Sequence, residues 1–224
     1  MALQIQGNGG VLMEVDGTLF RAARWTPRPV DHGSLGAYCW GGLTGVLPAA
    51  LGANSEIYQF RWVDATRFAV IRKIRISACV TTTFFAAGVP VQLDLVKATG
   101  WTGQGTLGTG VTPAATLKRR GSMGSTLVAA GDIRIATTAA LGAGTKTLEA
   151  NSLCTLVAPG PITASLNGQI IAPGTILWQA EVGDGEHPLV LATNEGFVIR
   201  SVAVPATGTW QAAVNVDWAE VTAY

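Results

Sequence analysis

Few residues in this chain belong to the types that carry out chemistry. The two histidines, His32 and His187, stand far apart, and neither has a second imidazole or a thiol at metal-ligand spacing. Glu181, Asp184 and Glu186 lie close together in a glycine-containing segment, where their oxygen atoms could bind calcium. The spacing of an EF-hand is absent, and a solvated hairpin turn explains the same residues. We therefore predict no metal site.

Two glycine-rich segments match nucleotide-binding loops only in part. Gly103, Gly105 and Gly108 have the GxGxxG spacing, but the following residues, Thr109–Pro113, cannot open the helix that such a loop requires. The segment Gly144–Thr147 lacks the upstream glycine of a phosphate loop, and a turn leading into a strand is the simpler interpretation. No GxSxG motif occurs, and the acidic residues offer no glycosidase pair. We predict a protein that is not an enzyme and has no cofactor.

Two clusters of basic residues are the candidates for contact with a partner. They could meet carboxylates of a partner protein, they could be solvated, or they could bind single-stranded nucleic acid. We favour a protein partner, then solvation, and place nucleic acid last, since the net charge of the chain is only +1. The candidate contact residues are Arg21, Arg24, Trp25, Arg28, Lys118, Arg119 and Arg120.

The composition favours a protein whose surface is covered by partners. Charged residues make up 13% of the 224 residues, against about 25% in an average soluble domain. Hydrophobic residues make up 48%, so that a sizeable core can be buried. A monomer with so little surface charge would tend to self-associate. Secretion or low solubility would leave the same statistic, but coverage by partners explains it more simply.

The cysteines and the apolar stretches give no sign of a disulfide framework or of a membrane segment. Cys39, Cys79 and Cys154 are odd in number and lack CxxC spacing, which favours reduced thiols. The first ten residues have neither the basic nor the apolar region of a signal peptide. Two charge-free stretches, Ile76–Leu93 and Ala150–Ala180, contain prolines and polar residues that a helix in lipid would not accommodate.

Alternation with a period of two residues dominates the chain and predicts strands. In the clearest run, Trp210–Val221, one face is apolar from Trp210 to Trp218 and the other is polar. In Arg67–Val80, the apolar face is predicted to carry Phe68, Val70, Ile74, Ile76, Ala78 and Val80. Arg72 interrupts that face, so we expect a bulge or a buried ion pair there.

Further strands are predicted from similar patterns, with turn residues between them. Their ranges are Ile57–Val63, Val91–Lys97, Ser125–Thr137, Leu153–Val157, Gln169–Glu181, Leu189–Ala192 and Gly196–Val204. About eight strands without crossover helices are typical of an antiparallel sandwich. We predict an all-β fold, an antiparallel jelly-roll sandwich over residues 51–224, with a long loop at Trp101–Gly124. Residues 1–50, rich in proline and glycine, are predicted to form an extended N-terminal docking arm with a short hairpin near Glu14–Thr18.

Several of these segments resemble virion proteins of tailed bacteriophages. The run His187–Val221, with its Asn194-Glu195-Gly196 turn and its terminal Trp218-Ala219-Glu220-Val221, resembles the closing strands of phage jelly-roll proteins. Two further segments, Tyr58–Ser77 and Ser122–Thr138, are similar to the same group of proteins. The opening Leu12–Gly17 resembles the start of head-fibre or decoration-like proteins. The resemblance implies an oligomeric component of the head or tail, and it implies no catalytic residue.

Taken together, the residues and the resemblance predict a capsid decoration or cement protein, made in the cytoplasm of a bacterial host and built into the virion. It would bind the particle through its arm and self-associate, as a dimer or trimer, through its β domain. Its partners would be copies of itself and a major capsid or other virion protein. The alternative is a receptor-binding or glycan-binding module of a tail or head fibre. Trp40 and Trp101, beside glycines, are its candidate sugar-stacking residues.

Overall fold

A computed structural model of the chain divides it into two compact units, Met1–Asp31 and His32–Tyr224. In the first unit, strands β1 (Gln4–Gln6) and β2 (Leu12–Glu14) pair antiparallel. The second unit contains all the other strands. The structure describes residues 4–6, 12–14, 36–48, 51–85, 89–113, 117–119, 121, 124–160, 168–180, 187–203 and 206–222.

The second unit is an antiparallel β sandwich of two sheets. Sheet I has the strand order β12-β6-β15-β3, with β13 paired to β6 and β4 paired to β15. Its strands are β3 (Ala37–Leu43), β4 (Leu47–Pro48), β6 (Phe68–Val80), β12 (Gln169–Gln179), β13 (Leu189–Leu191) and β15 (Thr209–Val221). Sheet II has the order β10-β7-β14-β5-β9-β8, with β11 paired to β7. Its strands are β5 (Ser55–Trp62), β7 (Val91–Gly103), β8 (Thr109–Gly110), β9 (Ile133–Ile135), β10 (Thr145–Leu148), β11 (Cys154–Ala158) and β14 (Glu195–Ala203). The predicted all-β, two-sheet character is confirmed.

The core lies between the two sheets and is rich in aromatic rings. The apolar face predicted for β15 is confirmed, since its side chains from Trp210 to Trp218 alternate into the core and are fully buried. Trp218 of sheet I meets Phe60 of sheet II edge-on at 5.4 Å, and Phe60 stacks on Phe197 at 5.3 Å. These rings join the two sheets, because each pair adds a favourable quadrupole contact to the apolar area it buries.

Strand β6 contains the bulge that the sequence predicted at Arg72. Asp217 lies opposite Lys73 while the next residue, Trp218, lies opposite Ile71, so Arg72 is the extra residue. Its side chain is exposed, not held in a buried ion pair. An extra residue reverses the alternation. Ala69 and Ile71 therefore enter the core, and the prediction that Phe68 and Val70 belong to that core face was wrong. The sequence did not predict Ala69 and Ile71 as core residues, because the bulge shifts the alternation of buried and exposed positions by one residue.

Residues 37–48, which the sequence placed in the arm, form β3 and β4 of sheet I. All of β3 pairs with β15, from Ala37 opposite Ala219 to Leu43 opposite Ala213. Within this segment Tyr38 and Leu47 are fully buried in the core. This part of the predicted arm is therefore integral to the sandwich.

Two loop boundaries also differ from the prediction. The expected loop at Trp101–Gly124 begins later, because β7 continues to Gly103 and the Trp101 N–H donates to the Asn194 carbonyl at 2.8 Å. The strand predicted at Ser125–Thr137 is limited to the three residues of β9. Before β9, the Leu127 N–H donates to the Glu220 side chain, as described below, rather than to a neighbouring strand.

Candidate interaction surface

The outer face of sheet I is an exposed strand surface. Its side chains alternate with those in the core and lie side by side across β3, β15, β6 and β12. One row joins Leu43, Ala213 and Ser77, and the next joins Gly41, Asn215, Arg75 and Ile176. We call this surface, with Cys39, Asp217, Lys73, Gln211 and Cys79 of the adjoining rows, the open face.

Most side chains of the open face are uncharged. Leu43 and Ile176, at its two sides, are 57% and 49% exposed. On β3, Gly41 leaves room for the neighbouring side chain of β15, since a Cβ there would stand 2.4 Å from the Asn215 Oδ1. A cluster of small neutral side chains flanked by exposed aliphatic ones is the pattern expected of a surface that packs against protein.

The charges of the open face gather around Asp217. Its carboxylate accepts a hydrogen bond from Arg75 Nη2 at 3.2 Å and another from Arg119 Nη2. Arg119 was predicted from sequence to contact a partner, and the structure pairs it with this carboxylate of the same chain. Its side chain remains 47% exposed at the rim of the open face. Asp217 was missed by the sequence reasoning because its partner lies 98 residues away in the chain.

The other predicted contact residues are distributed as follows. Lys118 forms an antiparallel bridge with Tyr38, which places it beside the outer edge of β3. Outside the described residues lie Arg21, Arg24, Trp25, Arg28 and Arg120. The structure thus brings Lys118 and Arg119 to one edge of sheet I.

The outer face of sheet II is covered in part by the chain itself: other segments lie against β5, whereas Val157 of β11 is 57% exposed. The covering segments, residues 102–108, 129–132 and 142–144, contact the outward side chains Gln59 and Arg61 of β5, and we call them the cover. Beneath and beside the cover, Trp101 packs with Val96, Ala98 and Val198 in a second small core, and Trp101 is only 1% exposed. Trp101 was predicted as a free loop indole for sugar stacking, and that prediction was wrong. Trp40 is also packed, 5.5 Å from the ring of Tyr58 and against the main core.

A buried ion pair fixes the cover to β5. Arg61 Nη2 and Nε lie 2.6 Å and 2.7 Å from Asp132 Oδ1, and the two side chains are 10% and 0% exposed. Arg61 Nη1 also donates to the Thr102 carbonyl at 3.1 Å, and Gln104 donates to Asp132 at 2.9 Å. Two buried charges of opposite sign are tolerated here because they are paired and hydrogen-bonded.

A second buried group lies at the other end of the cover. Lys146 Nζ donates to Glu56 Oε2 at 2.8 Å, and Gln59 Nε2 donates to the same oxygen at 2.6 Å. The Lys146 ammonium also lies 4.4 Å from the centre of the Trp101 ring. Burial lowers the pKa of Lys146, and the neighbouring carboxylate opposes that shift. The expectation that Gly144–Thr147 is a turn leading into a strand is confirmed, because β10 begins at Thr145.

The glycines of the GxGxxG match serve the packing of the cover. A Cβ at Gly105 would stand 2.0 Å from Gln59 Oε1 and 2.6 Å from the Gly142 carbonyl oxygen. The segment continues into strand β8. Close packing of backbone on backbone explains these glycines without a bound phosphate.

Glu220 is a buried carboxylate that holds the chain entering the cover. It is fully buried and accepts hydrogen bonds from the Thr126 hydroxyl, the Leu127 N–H at 3.1 Å and the Trp218 indole N–H at 3.3 Å. Burial raises the pKa of Glu220, and these donors partly offset the shift. Because it replaces strand pairing for residues 126–127, this anchor explains why the predicted long strand is short.

The remaining candidates of the sequence are placed as follows. His187 is exposed, and its Nδ1 lies 2.7 Å from the Pro188 carbonyl oxygen. Outside the described residues lie His32, Glu181, Asp184 and Glu186. Within the described ranges, no group of three or more His, Cys, Asp or Glu side chains is placed to hold a metal ion. The three cysteines are free thiols.

Comparison with known proteins does not identify the chain. No family model matches it, and neither a curated protein nor a solved structure is significantly similar. No helix in the described part of the chain has the length and hydropathy of a membrane span.

Proposed function

We propose that this chain is a structural component of a tailed-phage virion, a decoration or cement protein that acts by association and not by catalysis. The observation that carries the proposal is the open face, a strand surface with small neutral side chains and exposed Leu43 and Ile176. It lies in a chain with only 13% charged residues. Such a surface associates by burying apolar area, at about 25 cal/mol per Å².

The pairing of the strands supports the jelly roll that belongs to this proposal. Numbered along the chain, the eight principal strands are β3, β5, β6, β7, β11, β12, β14 and β15. The first pairs with the eighth, the second with the seventh, the third with the sixth and the fourth with the fifth. A long antiparallel ribbon rolled onto itself has these nested pairs. Viral capsid proteins and lectins are among the proteins built in this way, so the fold supports a virion role by analogy.

The open face also favours one mode of self-association. Two copies that meet through this same surface form an isologous contact, which closes as a two-fold dimer. The proposed docking arm is then residues 1–31, the separate compact unit, since residues 37–48 belong to sheet I.

A charge placed on the open face tests the association. Ala213→Arg puts a long cation in the middle row, where the monomer can accommodate it because the side chain faces outward. We expect the wild-type chain to be a dimer and Ala213→Arg to be a monomer with unchanged circular dichroism, as measured by light scattering. The matched control is Thr147→Arg at an exposed strand position of sheet II, which should remain dimeric.

The particle itself tests the virion assignment. We expect the chain to be present in purified virions of the phage that encodes it, and its gene to lie beside a major capsid gene. A chain lacking residues 1–31 should fold and dimerise but fail to incorporate. A monomeric wild-type chain, or full incorporation of the truncated chain, would contradict the corresponding part of the proposal.

A further inference from the structure

Three side chains of the covered face form a hydrogen-bonded cluster of an amine, a carboxylate and a carboxamide. Lys146 of β10 and Gln59 of β5 both donate to one oxygen atom, Glu56 Oε2, at 2.8 Å and 2.6 Å. The shared acceptor holds a primary amine beside a carboxamide, with a carboxylate between their two nitrogen atoms. The strands that carry the amine and the amide are not neighbours, because β7 and β14 lie between them.

Water is largely excluded from this group. The side chains of Lys146 and Glu56 are 2% and 8% exposed, and Gln59 is 1% exposed. The Trp101 ring closes one side, 4.4 Å from Lys146 Nζ. Desolvation favours the neutral form of a lysine, which is the nucleophilic form, and burial lowers the pKa of Lys146 accordingly.

The amide of Gln59 is incompletely bonded. Its Nε2 donates to Glu56 and to the Gly142 carbonyl at 3.0 Å, whereas its Oε1 is buried without a hydrogen-bond partner among the described residues. A buried unsatisfied oxygen costs about 1–3 kcal/mol. Such exceptions are found where a structure stores strain or supports a reaction.

We propose that Lys146 and Gln59 are joined by an intramolecular isopeptide bond, formed by the folded chain itself with Glu56 as the proton carrier. The shared acceptor oxygen holds the amine and the amide in one cluster, so that a reaction between them is intramolecular. A crosslink here joins β10, at one edge of sheet II, to β5 across two intervening strands.

The reaction balances without an oxidant, a metal or a second substrate. Glu56 Oε2 takes a proton from Lys146 Nζ, and the neutral amine attacks Gln59 Cδ to form the new C–N bond. The bond between Cδ and Nε2 breaks as the proton on Glu56 passes to the departing nitrogen. The attacking nitrogen then gives up its second excess proton to Glu56, which passes it to the released ammonia. Ammonium leaves, the new amide is neutral, and the carboxylate of Glu56 is restored.

The mass of the intact, denatured full-length chain tests this proposal. We expect the wild-type mass to be below that of the sequence by one ammonia, about 17 Da, because acylation of the Lys146 amine by Gln59 displaces the amide nitrogen of Gln59. Digestion with trypsin should leave the Lys146–Thr147 bond uncut and release one branched peptide containing Gln59 and Lys146. Both signatures are independent of oligomeric state and of any phage partner.

Three variants separate the crosslink from other losses of mass. Lys146→Arg keeps the cation beside Glu56 but should restore the full mass, and Glu56→Gln should do so by removing the proton carrier. Lys97→Arg is the matched control, because Lys97 is a partly buried lysine near Glu149 and Glu195 of the same sheet. It should retain the loss of ammonia.

Two results would overturn the proposal. One is a folded wild-type chain that keeps the full sequence mass after prolonged incubation. The other is a loss of ammonia that persists in Lys146→Arg, which would place the reaction elsewhere. Circular dichroism of each variant establishes that folding is retained. Should Glu56→Gln fail to fold, Lys146→Arg still decides the outcome.

Discussion

The outer faces of the two sheets differ in how far the chain itself shields them from solvent. Sheet II is covered over β5 by its own chain, which pairs Arg61 with Asp132, and Trp101 is buried in the small core of the same sheet. Sheet I leaves its outer face exposed, with small side chains in the centre and its charges gathered around Asp217. The comparison teaches that polarity alone does not identify an exposed surface. The covered face holds buried ionic groups, while the open face is nearly neutral.

This contrast refines the interpretation of the low charge content. Lys146, Glu56, Arg61 and Asp132 are all withdrawn from solvent under or beside the cover. The charge that remains at the surface is therefore lower than the composition suggests. That strengthens the argument that the open face meets a protein, since a surface with little charge is poorly protected from association.

The largest expected effect is at the small core of the covered face. Trp101→Ala should lower the free energy of unfolding by about 4 kcal/mol, because a fully packed indole is replaced by a cavity. Ile176→Ala on the open face should change it by about 0.5 kcal/mol, since the side chain is 49% exposed. Urea unfolding measures both. Equal losses would mean that the two faces are equally packed.

The ion pair of the covered face should likewise contribute more to the free energy of unfolding than the ion pair of the open face. Asp132→Ala leaves the Arg61 guanidinium buried without its carboxylate and should cost about 3 kcal/mol. Arg75→Ala removes a partner of Asp217 whose own side chain is 39% exposed, and should cost about 0.5 kcal/mol at most. Chemical denaturation at low and high salt checks this. Salt should weaken the contribution of Arg75 and leave that of Arg61 nearly unchanged.

The smallest expected effect is a dependence of stability on pH from Glu220. The folded state holds the Glu220 proton more tightly than the unfolded state, because burial raises its pKa above 4.5. The stabilising contribution is therefore complete below pH 4.5 and is lost as the pH rises through the raised pKa. Glu220→Gln should flatten this slope when unfolding is measured across the range. An unchanged slope would assign the pH dependence to other groups.

Much of the sandwich could be predicted from alternation, and the failures have physical causes. The face of β15 was correct because a strand with one buried side repeats every two residues. The phase of β6 before Arg72 was wrong because a bulge adds one residue without a signal in composition. Strand β3 was missed because Gly41 and Gly42 interrupt the apolar pattern, although the close approach of Asn215 requires a residue without a side chain at Gly41.

The candidate sites were harder to predict because their residues are far apart in the chain. Lys146 meets Glu56 across 90 residues, and Arg119 meets Asp217 across 98. No local pattern relates such positions, since their proximity depends on which strands neighbour each other and in what register. Sequence reasoning selected Arg119 as a contact residue from local charge, and therefore without the carboxylate that it contacts.

The pairing of the first and last strands of the sandwich has a mechanical consequence. β3 and β15 run antiparallel, and the Glu220 N–H donates to the Gly36 carbonyl at 3.2 Å, so the chain enters and leaves sheet I at adjacent points. A force that pulls these two points apart acts across the ladder, whose bonds lie perpendicular to the strands. This force acts on the hydrogen bonds between β3 and β15 one at a time, starting from the end at which it is applied. The domain should resist pulling least along this direction and most when the load runs along the strands.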